Sequence, residues 1–193
     1  MKLKALGLAL LLILLGSVSA GTLAYFTADE ITHNVITSGG VDVELIEKTV
    51  DENGNTVGWP DGGVEGVMPG EEIAKIVSVK NKKGASPAWV RIKLVTEVKL
   101  SDGTVTDNLL PDGQTPAVTY EVNPKWIPQG GYYYYDGSLE AEEETEPIIT
   151  GVTFDAKMGN EYQGCKAIVS VTMHAVQVAN NGDSVLEAAG WPE

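Results

Sequence analysis

A single cysteine, Cys165, in 193 residues excludes any intrachain disulfide, so a secreted form of this chain would depend on its packed core alone. Cys165 itself suits a small, partly buried position, the alternative being an intermolecular bridge. Histidine is nearly as scarce. His33 and His174 are the only two, and no HExxH spacing joins them, so a zinc site would require both to converge with a carboxylate. A Cys165–His174 dyad is excluded by extension, because nine residues of strand span about 30 Å. No GxSxG elbow and no phosphate-cradling glycine loop occurs, which leaves no catalytic residue and no cofactor to nominate. Basic residues are few as well. Lys2 and Lys4 are the only charges before Asp29, and the chain beyond position 24 carries 27 acidic against 11 basic residues, a formal −16. That balance excludes nucleic acid and anionic membrane surfaces as partners and favours solubility outside the cell, with cation binding as the alternative.

What is present begins with the leader. "MKLKALGLALLLILLGSVSAGTLA" places two lysines before an apolar run from Ala5 to Leu15, followed by small and polar residues. This is the order of a secretory signal rather than of a membrane span, which needs about 20 mostly apolar residues. Cleavage after Ala24, before Tyr25, satisfies the small-x-small rule with Thr22 at the third position upstream. Cleavage after Ala20 satisfies it with Val18. The domain boundaries are then 1–24 for a signal peptide and 25–193 for one domain.

The remainder alternates with period two. In "WVRIKLVTEVKL", Val90, Ile92, Leu94, Val98 and Leu100 share one face, and Trp89, Arg91, Lys93, Glu97 and Lys99 the other. "KAIVSVTMHAVQV" sets Ala167, Val169, Val171, Met173 and Ala175 against Ser170, Thr172 and His174. Further strands are expected at 41–45, 73–81 and 152–158. Turn signals separate them: "ENGN", "MPGEE", "SDGT", "PDGQ" and "YDGS". Helical periodicity is confined to the leader, with one or two turns expected in "SVLEAAGW". The pattern predicts an all-β, antiparallel two-sheet sandwich. "EAEEETE" at 140–146 is expected to be a solvated loop. "GGYYYYDG" puts two tyrosines on each face of an edge strand, so that one pair is expected at the surface, as a subunit contact or glycan platform in the alternative. Trp89 and Trp126 fit core or rim positions. "DENGNTVGWPDG" has Asp51, Asn53 and Asn55 at calcium-loop spacing, but Thr56 stands where that loop needs Gly and Gly62 where it needs Glu, so a hairpin turn is expected.

Three stretches together resemble one family. "GTLAYFTADEITHNVITSGGVDVEL", "MPGEEIAKIVSVKNKKGASPAWVRI" and "NEYQGCKAIVSVTMHAVQVANNG" are similar to the opening, middle and closing segments of TasA/camelysin-type proteins. The matching positions are Ala24, Tyr25, Phe26, Asn34, Gly40, Val41 and Asp42 at the start, and Ala175 and Gln177 at the end. Ala28 departs from the pattern, since many relatives carry Asp directly after the aromatic pair. The resemblance implies cleavage between Ala24 and Tyr25 by a SipW-type signal peptidase, a jelly-roll sandwich, and secretion to the matrix or surface of a Gram-positive bacterium. It implies a structural role in biofilm fibres, with the chain itself or related matrix proteins as partners. A camelysin-like surface metalloprotease and an accessory or anchor module are the alternatives. Once cut, the chain starts "YFTADEITHNVITSGG", apolar at its first residues and free of proline. Residues 25–38, with Tyr25, Phe26, Ile31, Val35 and Ile36, are expected to act as a donor strand that pairs with a neighbouring subunit.

Overall fold

A computed structural model describes residues 26–29, 33–38, 40–61 and 63–192. The leader and the Ala24–Tyr25 junction lie outside the described residues, as does Ile31. Among the described residues thirteen strands follow in order: β1 Phe26–Asp29, β2 His33–Ser38, β3 Val43–Val50, β4 Thr56–Gly58, β5 Val64–Val67, β6 Glu72–Asn81 and β7 Ala88–Lys99. Then come β8 Val105–Asp107, β9 Val118–Thr119, β10 Trp126–Gln129, β11 Tyr132–Tyr135, β12 Ile149–Phe154 and β13 Lys166–Gln177. One 3-10 turn, Asn160–Tyr162, is the only helical element among the described residues. The expected turns of helix in "SVLEAAGW" are absent; that segment makes bends and turns.

The strands form two sheets. One runs β10-β11-β7-β13-β1-β5, with β2 also against β13 and β8 against β7; the other runs β4-β3-β6-β12-β9. The core lies between them. Val90, Ile92 and Val98 of β7 and Ala167, Val169, Val171, Met173 and Ala175 of β13 are buried, as their alternation requires. Val77 and Val79 of β6, Val43 of β3, and Val152 and Phe154 of β12 meet them from the second sheet. Trp126 is fully enclosed in this core and donates its indole N–H to Glu146 O at 3.0 Å.

The register of β3 on β6 explains where polar residues enter the core. Val43, Leu45 and Glu47 pair with Asn81, Val79 and Val77, so the inward row of β6 continues to Lys75 at one end and Asn81 at the other. Asn81 is fully buried. Its amide donates to Ser86 O and Leu139 O, both at 2.9 Å, while its main chain bonds to Glu142 and Glu143. Its side chain thus ties two connections to β6 and its main chain a third. Asn81→Ala takes the side-chain donor from Ser86 O, while Leu139 O keeps the N–H of Ala88, and should destabilise the protein by about 1–3 kcal/mol, read as a lower denaturation midpoint in urea.

The acidic run is an exposed loop, as expected, except at Thr145. Thr145 is buried and exchanges bonds with Val79 at 2.9 and 3.1 Å, and Glu144 reaches Ser78 Oγ and Lys48 Nζ, so the segment lies along the outer half of β6. The reason is that β12 is shorter than β6, and 142–148 satisfies the main chain that β12 leaves open. The tyrosine strand β11 is not an edge, because β10 covers its far side. Neither tyrosine pair is left at the surface: Tyr133 and Tyr135 pack on the main core, and Tyr132 and Tyr134 join a second apolar cluster. Trp89 is buried, in keeping with a core or rim position, but Arg91 and His174, on the more polar outer face of their sheet, do not face solvent either. All three are buried beneath the chain that follows β13.

The Asp51 turn behaves as a hairpin connection between β3 and β4. Asp51 Oδ1 accepts the backbone N–H groups of Asn53 and Asn55 at 2.9 and 2.8 Å, and these bonds, led by those from Asn55, hold its carboxyl below the usual range. The same construction recurs at Asp112. There the hydroxyl and N–H of Thr115 and the N–H of Gln114 lower the carboxyl to about 2.

Candidate functional site

The first two described strands lie alongside the last strand. Strand β1 pairs in parallel with β13 (Thr27 opposite Lys166, Ala28 opposite Ala167, Asp29 opposite Ile168) and antiparallel with β5, Phe26 opposite Val67. Strand β2 continues along the same edge, from His33 opposite Val171 to Ser38 opposite Val176. Among the described residues these are the only parallel pairings; every other ladder is antiparallel. The expectation of a wholly antiparallel sandwich therefore fails at β1 and β2. The physical reason is connectivity: antiparallel neighbours come from hairpins, and a parallel neighbour of β13 has to come from far away in the chain.

The slot is built from three parts. The long strand β13 offers its edge over eleven residues, β5 closes the far side of β1, and residues 40–42 lead into β3 in the opposite sheet. In that connection the backbone of Gly40 lies so close to Ser86 that a Cβ would stand 3.1 Å from its hydroxyl, which favours glycine. Of the residues expected to join subunits, Phe26, Val35 and Ile36 are in the two strands, and Tyr25 and Ile31 lie outside the described residues. Val35 and Ile36 remain 44% and 41% exposed, so β2 is only partly covered where it lies. Missing from the sequence-based expectation were β5 and the edge of β13. The alternation of β13 was visible, but nothing local marks which of its edges is open.

The histidines stay apart in register: His33 is opposite Val171, and it is Ile36 that stands opposite His174. His174 Nδ1 is engaged by Arg91, whose Nε and Nη2 approach to 3.1 and 3.0 Å. Burial and the neighbouring guanidinium both lower the His174 pKa from 6.5. Cys165 is buried just before β13, and desolvation pushes its thiol up to about 11, far from a reactive thiolate. No group of three or more His, Cys, Asp or Glu among the described residues is arranged to hold a metal ion.

Two shallow clefts lie on the second sheet where β9 covers only the end of β12. One, about 240 Å³, is floored by Ile148 and Ile149 between Pro124 and Pro147; the other, about 340 Å³, has Glu72 and Glu121 at its rim. No catalytic grouping converges on either, and neither adjoins β1 or β2 in the sheet order.

No protein-family model, curated protein or solved structure matches the chain.

Proposed function

We propose that the protein is a secreted structural subunit of extracellular biofilm fibres, joined head to tail by exchange of its N-terminal strand. The observation that carries this reading is the parallel strand formed by β1 and β2. It comes first among the described strands and lies beside the last, β1 between β13 and the short strand β5, and β2 paired with β13 alone. The same strand from a second copy would make the same main-chain bonds in the same slot. Donation that runs in one direction does not close on itself, so it builds a filament; reciprocal donation would stop at a dimer. The resemblance to TasA/camelysin-type proteins supports the fibre over the dimer and supplies the remaining parts: a jelly-roll order of strands, removal of residues 1–24 by a SipW-type peptidase, and export to the matrix.

Electron microscopy and size exclusion on a chain that begins at a native Tyr25, beside one with a blocking N-terminal tag, test the proposal. Filaments are expected from the native start only. Monomers from both forms, or closed dimers from the native form, would overturn it.

A further inference from the structure

The outer face of the first sheet carries a row of side chains that runs across its strands. Tyr134 of β11 is opposite Arg91 of β7, and Arg91 is opposite His174 of β13. The residues that follow β13 fold over this row. Trp191 sits 4.8 Å from the guanidinium and meets Tyr134 edge-on at 5.7 Å, while Val185, Ala188 and Val178 pack with Trp89, Tyr134 and Val176. Asn181 ties the tail to itself through Ala189 and to the strand end at Gln177, and its carbonyl accepts the indole N–H of Trp89 at 3.0 Å.

Arg91 holds the centre of this cover. Its guanidinium stacks on Tyr132 at 3.9 Å, and its Nη2 donates to Pro192 O at 2.7 Å. Nη1 donates to the Tyr134 hydroxyl at 3.2 Å, and Nε and Nη2 converge on His174 Nδ1. No carboxylate of the described residues pairs with it. A buried arginine with neutral partners depends on each acceptor it has. The acceptor at its centre is an imidazole nitrogen, and it accepts only while the ring is neutral.

We infer that His174 and Arg91 form an acid-released latch that holds residues 178–192 over the outer face of the sheet. Protonation puts a hydrogen on Nδ1, which ends both contacts from Arg91 and sets two cations about 3 Å apart in a desolvated site. Among the described residues no carboxylate beside the ring compensates. From β7 the charged group facing it is Arg91 itself; from β11 it meets Tyr132, ring to ring at 5.4 Å; from β2 its register partner is Ile36. The tail brings Trp191 and the Pro192 carbonyl, and no charged side chain of the described tail residues contacts the ring. Release relieves the pair by letting the Pro192 end lift and water reach both cations, which bares Trp89, Tyr134 and Val176. The inference assumes nothing about filament formation.

The sign follows from linkage. The folded state disfavours the imidazolium, so the tail is held fully above the ordinary histidine value of 6.5 and is progressively lost as pH falls below it. Hydrogen exchange on the native chain, corrected for intrinsic rates, tests this at about pH 7.5 and about pH 5. Protection of amides in 178–192 should fall about tenfold at the lower pH, while β7 and β13 keep theirs. His174→Gln, which retains an amide oxygen as acceptor and cannot titrate, should hold the tail equally at both values. Unchanged tail protection in the native chain would overturn the latch, as would a loss shared equally with β7 and β13. So would a His174→Gln protein that responds as the native one does. If that variant does not fold, as β13 amides would show, the native comparison of tail with β13 decides alone.

Discussion

A chain lacking residues 25–38 is expected to form no filaments at all, yet to keep its two-sheet core. The core residues among those described run from Val41 onward, with β6, β7, β12 and β13 at the centre, so removing β1 and β2 leaves that set of side chains in the chain. What is lost is the ladder along β13, from Lys166 to Ile168 and from Val171 to Val176, together with the bridge from β1 to β5. Each main-chain bond contributes about 1 kcal/mol net, and ordering the strand itself opposes that gain, so a loss on the order of 3 kcal/mol is expected. In a protein of this size that lowers Tm by about 6–12 °C. The bared edge is then a template. A synthetic peptide with the sequence of residues 25–38 should restore most of the lost Tm at one equivalent, and a peptide with Val35 and Ile36 replaced by Asp should restore less. Filaments persisting in the truncated chain would refute strand donation, and a truncated chain that does not fold would show β1 and β2 to be part of the core.

The second large effect is expected at Lys75. Its side chain is buried at the end of the inward row of β6, 3.0 Å from Glu47 Oε1 and 3.5 Å from the centre of the Trp59 ring. The contact is an ion pair rather than a well-aligned hydrogen bond. Desolvation outweighs the attraction of Glu47 and brings the ammonium down to about 8. Lys75→Met alone removes the cation beside the Glu47 carboxylate, 8% exposed, and should destabilise by about 3 kcal/mol. Glu47→Leu combined with Lys75→Met should recover to within about 1 kcal/mol of the native protein or exceed it, because two apolar side chains need no counter-charge. Urea denaturation of the two single variants and the double variant gives the coupling directly. Additive losses would mean that the pair does not act as a unit. The pH dependence has a definite sign. Between about 8 and the ordinary lysine value of 10.5 the unfolded chain binds the proton and the folded one does not, so this group's contribution to stability rises with pH across that window. In Lys75→Met that rise should vanish.

Lys75 and Asn81 also show how far a local pattern reaches. "IAKIVSVKN" reads as a strand without difficulty, and the inward placement of Val77 and Val79 follows from alternation. The same alternation puts Lys75 and Asn81 inward, where composition would place them in water. The end of the row tolerates them because each finds partners from other elements: Glu47 and Trp59 for the lysine, the carbonyls of Ser86 and Leu139 for the asparagine. Those partners cannot be inferred from the nine residues themselves. The tyrosine run is similar. Its two-and-two division between faces was legible, but both faces proved to be covered, one by the core and one by the chain end.

Period-two alternation and well-spaced Asp-Gly and Asn-Gly turns were enough by themselves to determine a two-sheet β-sandwich, because side-chain direction and turn geometry are local properties of the chain. They also determined which residues of β7 and β13 face the core. Only the tertiary structure decided that β1 and β2 lie parallel to β13, that 142–148 runs beside β6, and that the tail covers Arg91 and His174. Each of these depends on main-chain groups or surface left open by a distant element, as with Arg91 and His174, 83 residues apart in the chain. Periodicity records which face of a strand is apolar; it carries no mark of which edge is free or of what will come to cover it.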